Sequence, residues 1–487
     1  MASPIRSIAW LVAGVLVAGG CGAPVQPSAS STATSRPSAE ATAPAPDPSA
    51  VAQAITEGGL RADLAMLVAA GSQATSFRAL GSAGYDTAAD SVAGILRSAG
   101  WTVSEDRFTA SAFTDDGASS LVVGGKTFGR DDLRPLIYAP SGTAEGPVVT
   151  IGWAAGEAAP GGLGCEVADY GTLPAHAVVV VGPDDCYRRQ AVAAAQSAGA
   201  SAFVAVIAGN PPGAPLRPTL ISTDGMSIPA VAVSADAANA LRLAAERGGS
   251  ARIASTARTA DVQTRSIIGE LPGAVPGPVV MLGAHLDSVM DGPGANDNGS
   301  GVAALLAIAR ALAGTQPQTT IRLAFWSGEE EGLFGSAHFV TKLSDADRAS
   351  IVAYLNADML GSPNGFAGVY DEPNSPSGSA SIGALLDASL GRLGARSVPV
   401  DTGGGSDHTP FVRAGVAIGG LFSGAGEPLT AEQAATFGGT AGQPADACYH
   451  RACDTLDNVR LPLARILAAA LADAALQIAA KPALVVP

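Results

Sequence analysis

Residues 279–288 read Val279-Val280-Met281-Leu282-Gly283-Ala284-His285-Leu286-Asp287-Ser288, an apolar run that ends in polar residues. A short, continuous apolar run is typical of a strand that is buried on both faces of a sheet. His285 and Asp287 therefore lie just past the end of a predicted strand. Similar patterns predict further strands at 321–325 and 352–356 and helices at 301–312 and 461–480.

Strands that alternate with helices predict an α/β fold, with a central, mainly parallel sheet flanked by helices. In such sheets, ligands bind at the carboxyl ends of the strands. Polar residues that follow predicted strands are therefore candidates for chemistry. They are His285, Asp297 in the glycine-rich loop 292–301, Glu329 and Glu330 after 321–325, and Asp358 after 352–356, and they are joined by His450 in the short segment 448–453.

Apolar neighbours make these charges costly to bury unless an opposite charge pairs with them. Imidazole and carboxylate groups are suitable zinc ligands. Two Zn²⁺ ions bring four positive charges, which Asp297, Glu330 and Asp358 and a bridging hydroxide would balance. Two neighbouring metals also need a bridging carboxylate. The residues alone thus predict a metallohydrolase with two Zn²⁺ ions as its cofactors.

These segments resemble the co-catalytic two-zinc aminopeptidases, and most closely the secreted Streptomyces-type leucine aminopeptidases. The resemblance covers 261–487, with 51–108 as the first part of the same domain, and the stretch from Gly419 to His450 is especially similar. It implies the zinc exopeptidase fold. It also implies hydrolysis of the N-terminal residue, a large apolar one such as Leu, from peptides with a free N-terminus.

The resemblance implies a metal-binding role for five residues. His285 and Asp358 would bind one zinc ion. Glu330 and His450 would bind the other, and Asp297 would bridge the two.

The same resemblance makes Glu329 the general base that acts on the metal-bridged hydroxide. Adjacent residues of an extended chain point to opposite sides, so Glu330 can bind metal while Glu329 faces the water. Tyr449 would stabilise the oxyanion of the tetrahedral intermediate.

Three further residues near the motifs have predicted supporting roles or depart from the family. Asp287 suits an acceptor that fixes the ring of His285, and Asp407 is expected to support the site. Secreted relatives carry an arginine where this chain has Gly405, which leaves the metal site intact but puts substrate preference in doubt.

Residues 110–259 are predicted to form an inserted β-rich α/β module. Short strands and helices recur in it, and Cys165 and Cys186 flank its middle strand, 178–181. The segment resembles the protease-associated (PA) domain that is often inserted in peptidases. The peptidase domain would then comprise 51–109 and 260–487.

The N-terminus predicts export and a lipid anchor. Residues 1–20 have the charged start and short apolar core of a signal peptide, and Ala18-Gly19-Gly20-Cys21 resembles the bacterial lipobox, in which the cysteine is lipidated. Residues 21–50, rich in Ser, Ala and Pro, predict a disordered tether. The protein is therefore expected on the outer face of the cytoplasmic membrane, held by its lipid.

The composition of the chain limits the classes of partner it can bind and indicates the compartment in which it folds. The 487-residue chain has a net charge of −15, which disfavours nucleic acid. Apart from Cys21, the cysteines form two local pairs, Cys165 with Cys186 and Cys448 with Cys453, as expected for two disulfides in an oxidising compartment. We expect a monomer that binds peptides and a membrane.

Two alternatives remain at this stage. A carboxypeptidase of the same superfamily would need cationic residues near the metals to receive a carboxylate, and the nearest in sequence are Arg322, Arg392, Arg396 and Arg413. A non-catalytic, lipid-anchored binding protein on the same fold would be expected to have lost ligands, whereas all the candidates are present.

Overall fold

The computed structural model describes residues 43–72, 74, 76–153, 163–182, 186–207 and 214–485. The predicted signal peptide, Cys21 and the predicted tether up to residue 42 lie outside these residues. The tether does not reach residue 50 as predicted, because a helix begins at Pro48. Asp47 caps that helix by accepting a hydrogen bond from the backbone N–H of Ser49 at 2.9 Å.

The described residues contain twelve α-helices and sixteen strands. The helices are α1 Pro48–Ala54, α2 Glu57–Ser72, α3 Ala83–Ser98, α4 Arg188–Ser197, α5 Ala235–Glu246, α6 Gly299–Ala311, α7 Phe334–Lys342, α8 Asp345–Ser350, α9 Ser379–Arg392, α10 His408–Arg413, α11 Ala431–Phe437 and α12 Leu461–Ala480. The strands are β1 Thr102–Thr114, β2 Ser120–Val123, β3 Lys126–Phe128, β4 Leu133–Pro135, β5 Gly142–Ile151, β6 Val178–Val181, β7 Ala202–Val206, β8 Ala230–Val233, β9 Ser250–Ser255, β10 Arg258–Leu271, β11 Val275–His285, β12 Thr319–Trp326, β13 Ile351–Ala357, β14 Gly368–Tyr370, β15 Val398–Val400 and β16 Ile418–Phe422.

One eight-stranded sheet, the peptidase sheet, has the order β1-β10-β12-β11-β13-β16-β14-β15. Its centre, β12-β11-β13-β16, is parallel. The prediction of a mainly parallel sheet holds for this centre, but β10 pairs antiparallel with both β1 and β12, and β14 pairs antiparallel with β16. The sheet is therefore mixed, with a parallel core.

A second eight-stranded sheet, the insert sheet, has the order β3-β2-β9-β5-β6-β7-β8-β4. Strand β6 consists of four valines that are all fully buried, which is the pattern of a parallel strand covered on both faces. Separate clusters of buried apolar residues lie on its two sides. The insert sheet thus has a core of its own.

The chain passes between the two sheets along a single antiparallel ladder. β1 and β10 pair over their whole length, from Thr102 opposite Glu270 to Thr114 opposite Arg258. The predicted boundaries at 109/110 and 259/260 fall inside these two strands. The strands are longer than the sequence pattern indicated, because each supplies the hydrogen bonds of the other.

Helix α12 is mostly apolar and lies in the core of the peptidase domain, where it packs against α1, α6 and α9. Within the described part of the chain it is the one helix long and apolar enough to cross a membrane, but 67% of its most apolar window is buried. A long apolar helix that is largely buried is typical of a protein core.

The central strands bring the predicted site residues to one edge of the sheet. β11 ends at His285, β12 ends just before the glutamate run, and β13 ends just before Asp358. Helix α6 follows the glycine-rich loop and lies against the end of β13. A Cβ atom at Gly301 would lie 2.3 Å from the carbonyl oxygen of Ala357, so only glycine allows this approach.

Candidate active site

The Asp297 carboxylate lies between two imidazole rings. Its Oδ1 is 3.2 Å from His285 Nε2, and its Oδ2 is 3.2 Å from His450 Nε2. The carboxylate is buried with both rings beside it. One oxygen directed at each histidine is the arrangement expected of a group shared by two metal ions.

His285 forms the first half of the site with Glu329 and Asp358. Its Nε2 lies 3.4 Å from Asp358 Oδ1 and 4.0 Å from Glu329 Oε2. Its other ring nitrogen, Nδ1, lies 3.2 Å from the backbone carbonyl of Asp287. The ring therefore directs Nε2 towards the carboxylates.

His450 forms the second half with Glu330. The distance from His450 Nε2 to Glu330 Oε2 is 3.0 Å. Glu329 and Glu330 thus face different histidines although they are adjacent in the chain, and they do so from a turn after β12 rather than from the extended backbone that was predicted.

The residues fit a metal centre. Two sets of side chains have potential ligand atoms within 4.8 Å of one another: His285 with Asp297 and Glu330, and His285 with Glu329 and Asp358. Asp358 Oδ1 is buried and makes no hydrogen bond. A buried carboxylate oxygen without a donor is costly, and a bound cation would satisfy it.

The electrostatics indicate a site that lacks positive charge. Burial lowers the pKa of His285, but Glu329 and Asp358 outweigh it and hold that pKa well above its usual range. Burial raises the pKa of Glu329 well above its usual value, and neighbouring carboxylates such as Asp358 add to the rise. Burial also raises the pKa of Glu330.

The short loop that carries Tyr449 and His450 is closed by the predicted disulfide between Cys448 and Cys453. The ring of Tyr449 stacks on that of His450, with 3.8 Å between centroids. The other predicted disulfide, between Cys165 and Cys186, is present in the inserted module. Both predicted pairings are confirmed.

Comparisons with known proteins identify the family. Residues 266–475 match Peptidase family M28, and residues 144–241 match the PA domain. A protein of Mycobacterium tuberculosis named "Probable lipoprotein aminopeptidase LpqL" is 37% identical over 396 residues, which cover 78% of this chain and 77% of that protein. The chain belongs to peptidase family M28.

Solved structures agree on the fold. An aminopeptidase from Aneurinibacillus sp. strain AM-1 has a TM-score of 0.71 at 21% identity, with 89% of this chain and 96% of that chain covered. A zinc aminopeptidase from Bacillus subtilis has a TM-score of 0.68 at 22% identity, with 88% and 96% covered. The predicted fold, the inserted PA domain and the enzyme class, metallo-aminopeptidase, are confirmed.

In this M28 peptidase the backbone carbonyl of Asp287 lies 3.2 Å from His285 Nδ1, so Asp287 provides the acceptor predicted for that ring. Its carboxylate lies 3.9 Å from Nδ1, too far for a hydrogen bond. Instead it accepts hydrogen bonds from the backbone N–H groups of Gly328, Glu329 and Glu330 at 2.9, 3.2 and 3.2 Å. The carboxylate therefore fixes the turn that carries both glutamates.

Asp407 supports the site less directly than its neighbour Ser406 does. The Ser406 hydroxyl donates to Asp358 Oδ2 at 2.6 Å. Asp407 accepts a hydrogen bond from Ser336 Oγ at 2.5 Å, and burial raises its pKa to about 7. Gly405, which precedes the pair, is exposed.

Two buried residues that the sequence did not point to hold the loop of Asp297. Asp454 accepts hydrogen bonds from the backbone N–H groups of Asn296 and Asp297 at 2.8 and 3.0 Å. The fully buried Arg78 donates to the carbonyls of Leu286, Pro293 and Gly294. Together they fix both ends of the segment that joins His285 to Asp297.

The PA domain contacts this segment and the glutamate turn. Arg217 Nε lies 2.9 Å from Asp291 Oδ2. Glu331 accepts a hydrogen bond from the backbone N–H of Phe113 at 2.8 Å and lies 3.1 Å from the Tyr138 hydroxyl. The inserted module is therefore attached beside the candidate ligands.

We predict that Asp287→Ala lowers the free energy of unfolding by about 2 kcal/mol or more, because one buried and two partly buried N–H groups lose their acceptor. Urea unfolding in the presence of chelator measures this without a contribution from bound metal. Asp457→Ala is the control, since that side chain is 92% exposed, and its effect should stay within about 0.5 kcal/mol. Equal stability of the two variants would contradict the role given to Asp287.

Proposed function

We propose that this M28 peptidase is an aminopeptidase that holds two zinc ions and removes the N-terminal residue of peptides. The observation that carries the proposal is the Asp297 carboxylate, with one oxygen 3.2 Å from His285 and the other 3.2 Å from His450. A carboxylate between two imidazoles suits a bridge between two cations. The Bacillus subtilis neighbour, which shares the fold, is a zinc enzyme by name.

Each zinc ion would have its own pair of ligands besides the shared Asp297. His285 and Asp358 would hold one. Their separation of 3.4 Å supports this, as does the buried Oδ1 atom of Asp358, which makes no hydrogen bond. Glu330 and His450 would hold the other, supported by their separation of 3.0 Å. When bound, zinc polarises the scissile carbonyl and acidifies water.

Glu329 is the proposed general base. Its side chain is 11% exposed and lies beside His285, whereas its neighbour Glu330 lies beside His450. It would take a proton from the attacking water and deliver that proton to the leaving amine, which completes the hydrolysis.

Tyr449 is the proposed donor to the oxyanion that forms at the scissile carbonyl. Burial and the nearby carboxylates, Asp297 first among them, raise its pKa well above the usual value. The hydroxyl therefore keeps its proton and can donate a hydrogen bond. Stacking on His450 fixes the ring beside the metal ligands.

The charges in the site favour an amine rather than a carboxylate as the substrate terminus. Glu329 and Asp358 supply negative charge that would hold a protonated N-terminus. A carboxypeptidase would need a free cation instead. Among the arginines considered for that purpose, Arg322 is paired with Glu270 and Arg392 with Asp473.

The preferred first residue is proposed to be large and apolar, such as Leu. This rests on the resemblance to leucine aminopeptidases. This chain has Gly405 where secreted relatives carry an arginine, so the contact of that arginine with bound substrate is replaced or lost.

The location proposed is the outer face of the cytoplasmic membrane, with Cys21 as the lipid attachment point. The relative from Mycobacterium tuberculosis has lipoprotein in its name. Two disulfides are also in keeping with an exported protein.

Hydrolysis of leucyl-p-nitroanilide tests the proposal when it is compared with the N-acetylated form. We expect cleavage of the free-amine substrate alone, its loss on chelation and its recovery when zinc is restored. Cleavage of the acetylated form at a similar rate, or activity that survives complete removal of metal, would contradict the proposal.

Adjacent glutamates provide a matched pair of variants. Glu329→Gln should lower kcat by roughly 10²- to 10⁴-fold because the base is lost, while the zinc content stays unchanged. Glu330→Gln should lower the zinc content, because a ligand is lost. Metal analysis and kinetics on the same preparations measure both, and zinc loss from Glu329→Gln would reverse the two assignments.

The Cys448–Cys453 disulfide is expected to order the loop that carries His450. Replacing both cysteines with serine should weaken zinc binding by roughly tenfold or more, the size of effect seen when groups that orient ligands are removed. The matched control replaces Cys165 and Cys186, which close a loop in the PA domain, and should leave zinc affinity unchanged. Competition with a chromophoric chelator measures both, and equal affinities would show that the disulfide does not order the ligand.

A further inference from the structure

A cavity of about 240 Å³ lies between the PA domain and the peptidase domain, and Glu330 and His450 form part of its wall. The PA-domain side is apolar and includes Ile137, Ile207 and Leu216. The opposite side includes Val289 in the segment that joins His285 to Asp297. The inserted module therefore builds one wall of a space that opens at the candidate metal ligands.

Arg217, Asp291 and Glu331, three charged residues that line this cavity, already have partners in the protein. Arg217 lies 2.9 Å from Asp291 and 3.0 Å from Asp115. Glu331 accepts the backbone N–H of Phe113. Away from the candidate metal ligands, most of the remaining lining is apolar, including Phe113 and Met290, so the cavity favours an uncharged, apolar group.

The cavity lies on the side of the site where the leaving part of the peptide is expected. Glu330 and His450 belong to the half of the site opposite Glu329 and Asp358, with Asp297 between the halves. Under the proposed function, on which this inference rests, the free amine is held at Glu329 and Asp358. A peptide that crosses the site from there brings the leaving side of the scissile bond to the cavity.

We infer that this cavity receives the side chain of the second residue of the peptide, and that the PA domain thereby selects substrates with a large apolar residue at that position. The volume is sufficient, because an apolar cavity of roughly 150 Å³ takes up benzene and this one measures about 240 Å³. Leu216 is one of the apolar residues that line the PA-domain wall of the cavity.

The test compares kcat/KM for leucyl dipeptide amides in which the second residue is Gly, Ala, Leu or Phe, with the zinc-loaded full chain. Amides remove the charge of the C-terminus from the comparison. We expect the Leu-Phe amide to exceed the Leu-Gly amide by roughly tenfold or more, the size of effect given by apolar contacts in a specificity pocket.

Variants of Leu216 test whether the PA domain causes the preference for a large apolar second residue. Leu216→Trp should fill the cavity and lower the Phe-to-Gly ratio to about one, and Leu216→Ala, the milder variant, should lower it in part. Val167→Trp is the matched control, since Val167 is 50% exposed on the PA domain, and should leave the ratio unchanged. Both substrates are measured on one preparation, so the fraction of folded protein cancels from the ratio.

Different results would overturn the inference and the proposed function. Equal kcat/KM values across the four amides, or a ratio that Leu216→Trp and Leu216→Ala leave unmoved, would overturn the inference while the aminopeptidase activity itself stands. If the zinc-loaded chain hydrolyses none of the amides and no leucyl-p-nitroanilide, the proposed function fails and the inference fails with it.

Discussion

The structure depends on the burial of several carboxylates around two histidines. Asp297, Glu329, Glu330 and Asp358 are packed within reach of His285 or His450, and such a concentration of negative charge is costly without cations. Hydrogen bonds to the backbone nonetheless hold these carboxylates in place. Asp287 and Asp454 accept the N–H groups of the two segments that carry these ligands, and the buried Arg78 binds the chain between His285 and Asp297.

The two domains contribute to this site in different ways. The parallel centre of the peptidase sheet brings the ends of β11, β12 and β13 together, as sheets of this kind do at their carboxyl edge. The PA domain leaves and rejoins this sheet through the β1–β10 ladder, and it contacts the site where Arg217 pairs with Asp291 and where the backbone N–H of Phe113 donates to Glu331. The inserted module therefore lines the cavity beside the candidate site, while the candidate metal ligands all come from the peptidase domain.

Sequence reasoning succeeded where local pattern determines structure. Strand 178–181 and helix 461–480 were predicted with their observed bounds, since a run of valines and a long apolar stretch have few alternatives. The candidate site residues, which the structure brings together, could be picked out because strand ends and glycine-rich loops are visible in the sequence. The contact of the Asp287 carboxylate with the glutamate turn was not predicted, because its partners are backbone N–H groups more than 40 positions away. Arg78 was missed for the same reason, since its acceptors lie more than 200 positions along the chain.

The central claim is that Asp297 is shared by two zinc ions, one beside His285 and one beside His450. Anomalous diffraction on either side of the zinc absorption edge, from crystals of the zinc-loaded protein, tests it most directly. The account predicts two zinc peaks, one on each side of the Asp297 carboxylate. A single peak, or a second peak away from His450 and Glu330, would contradict it.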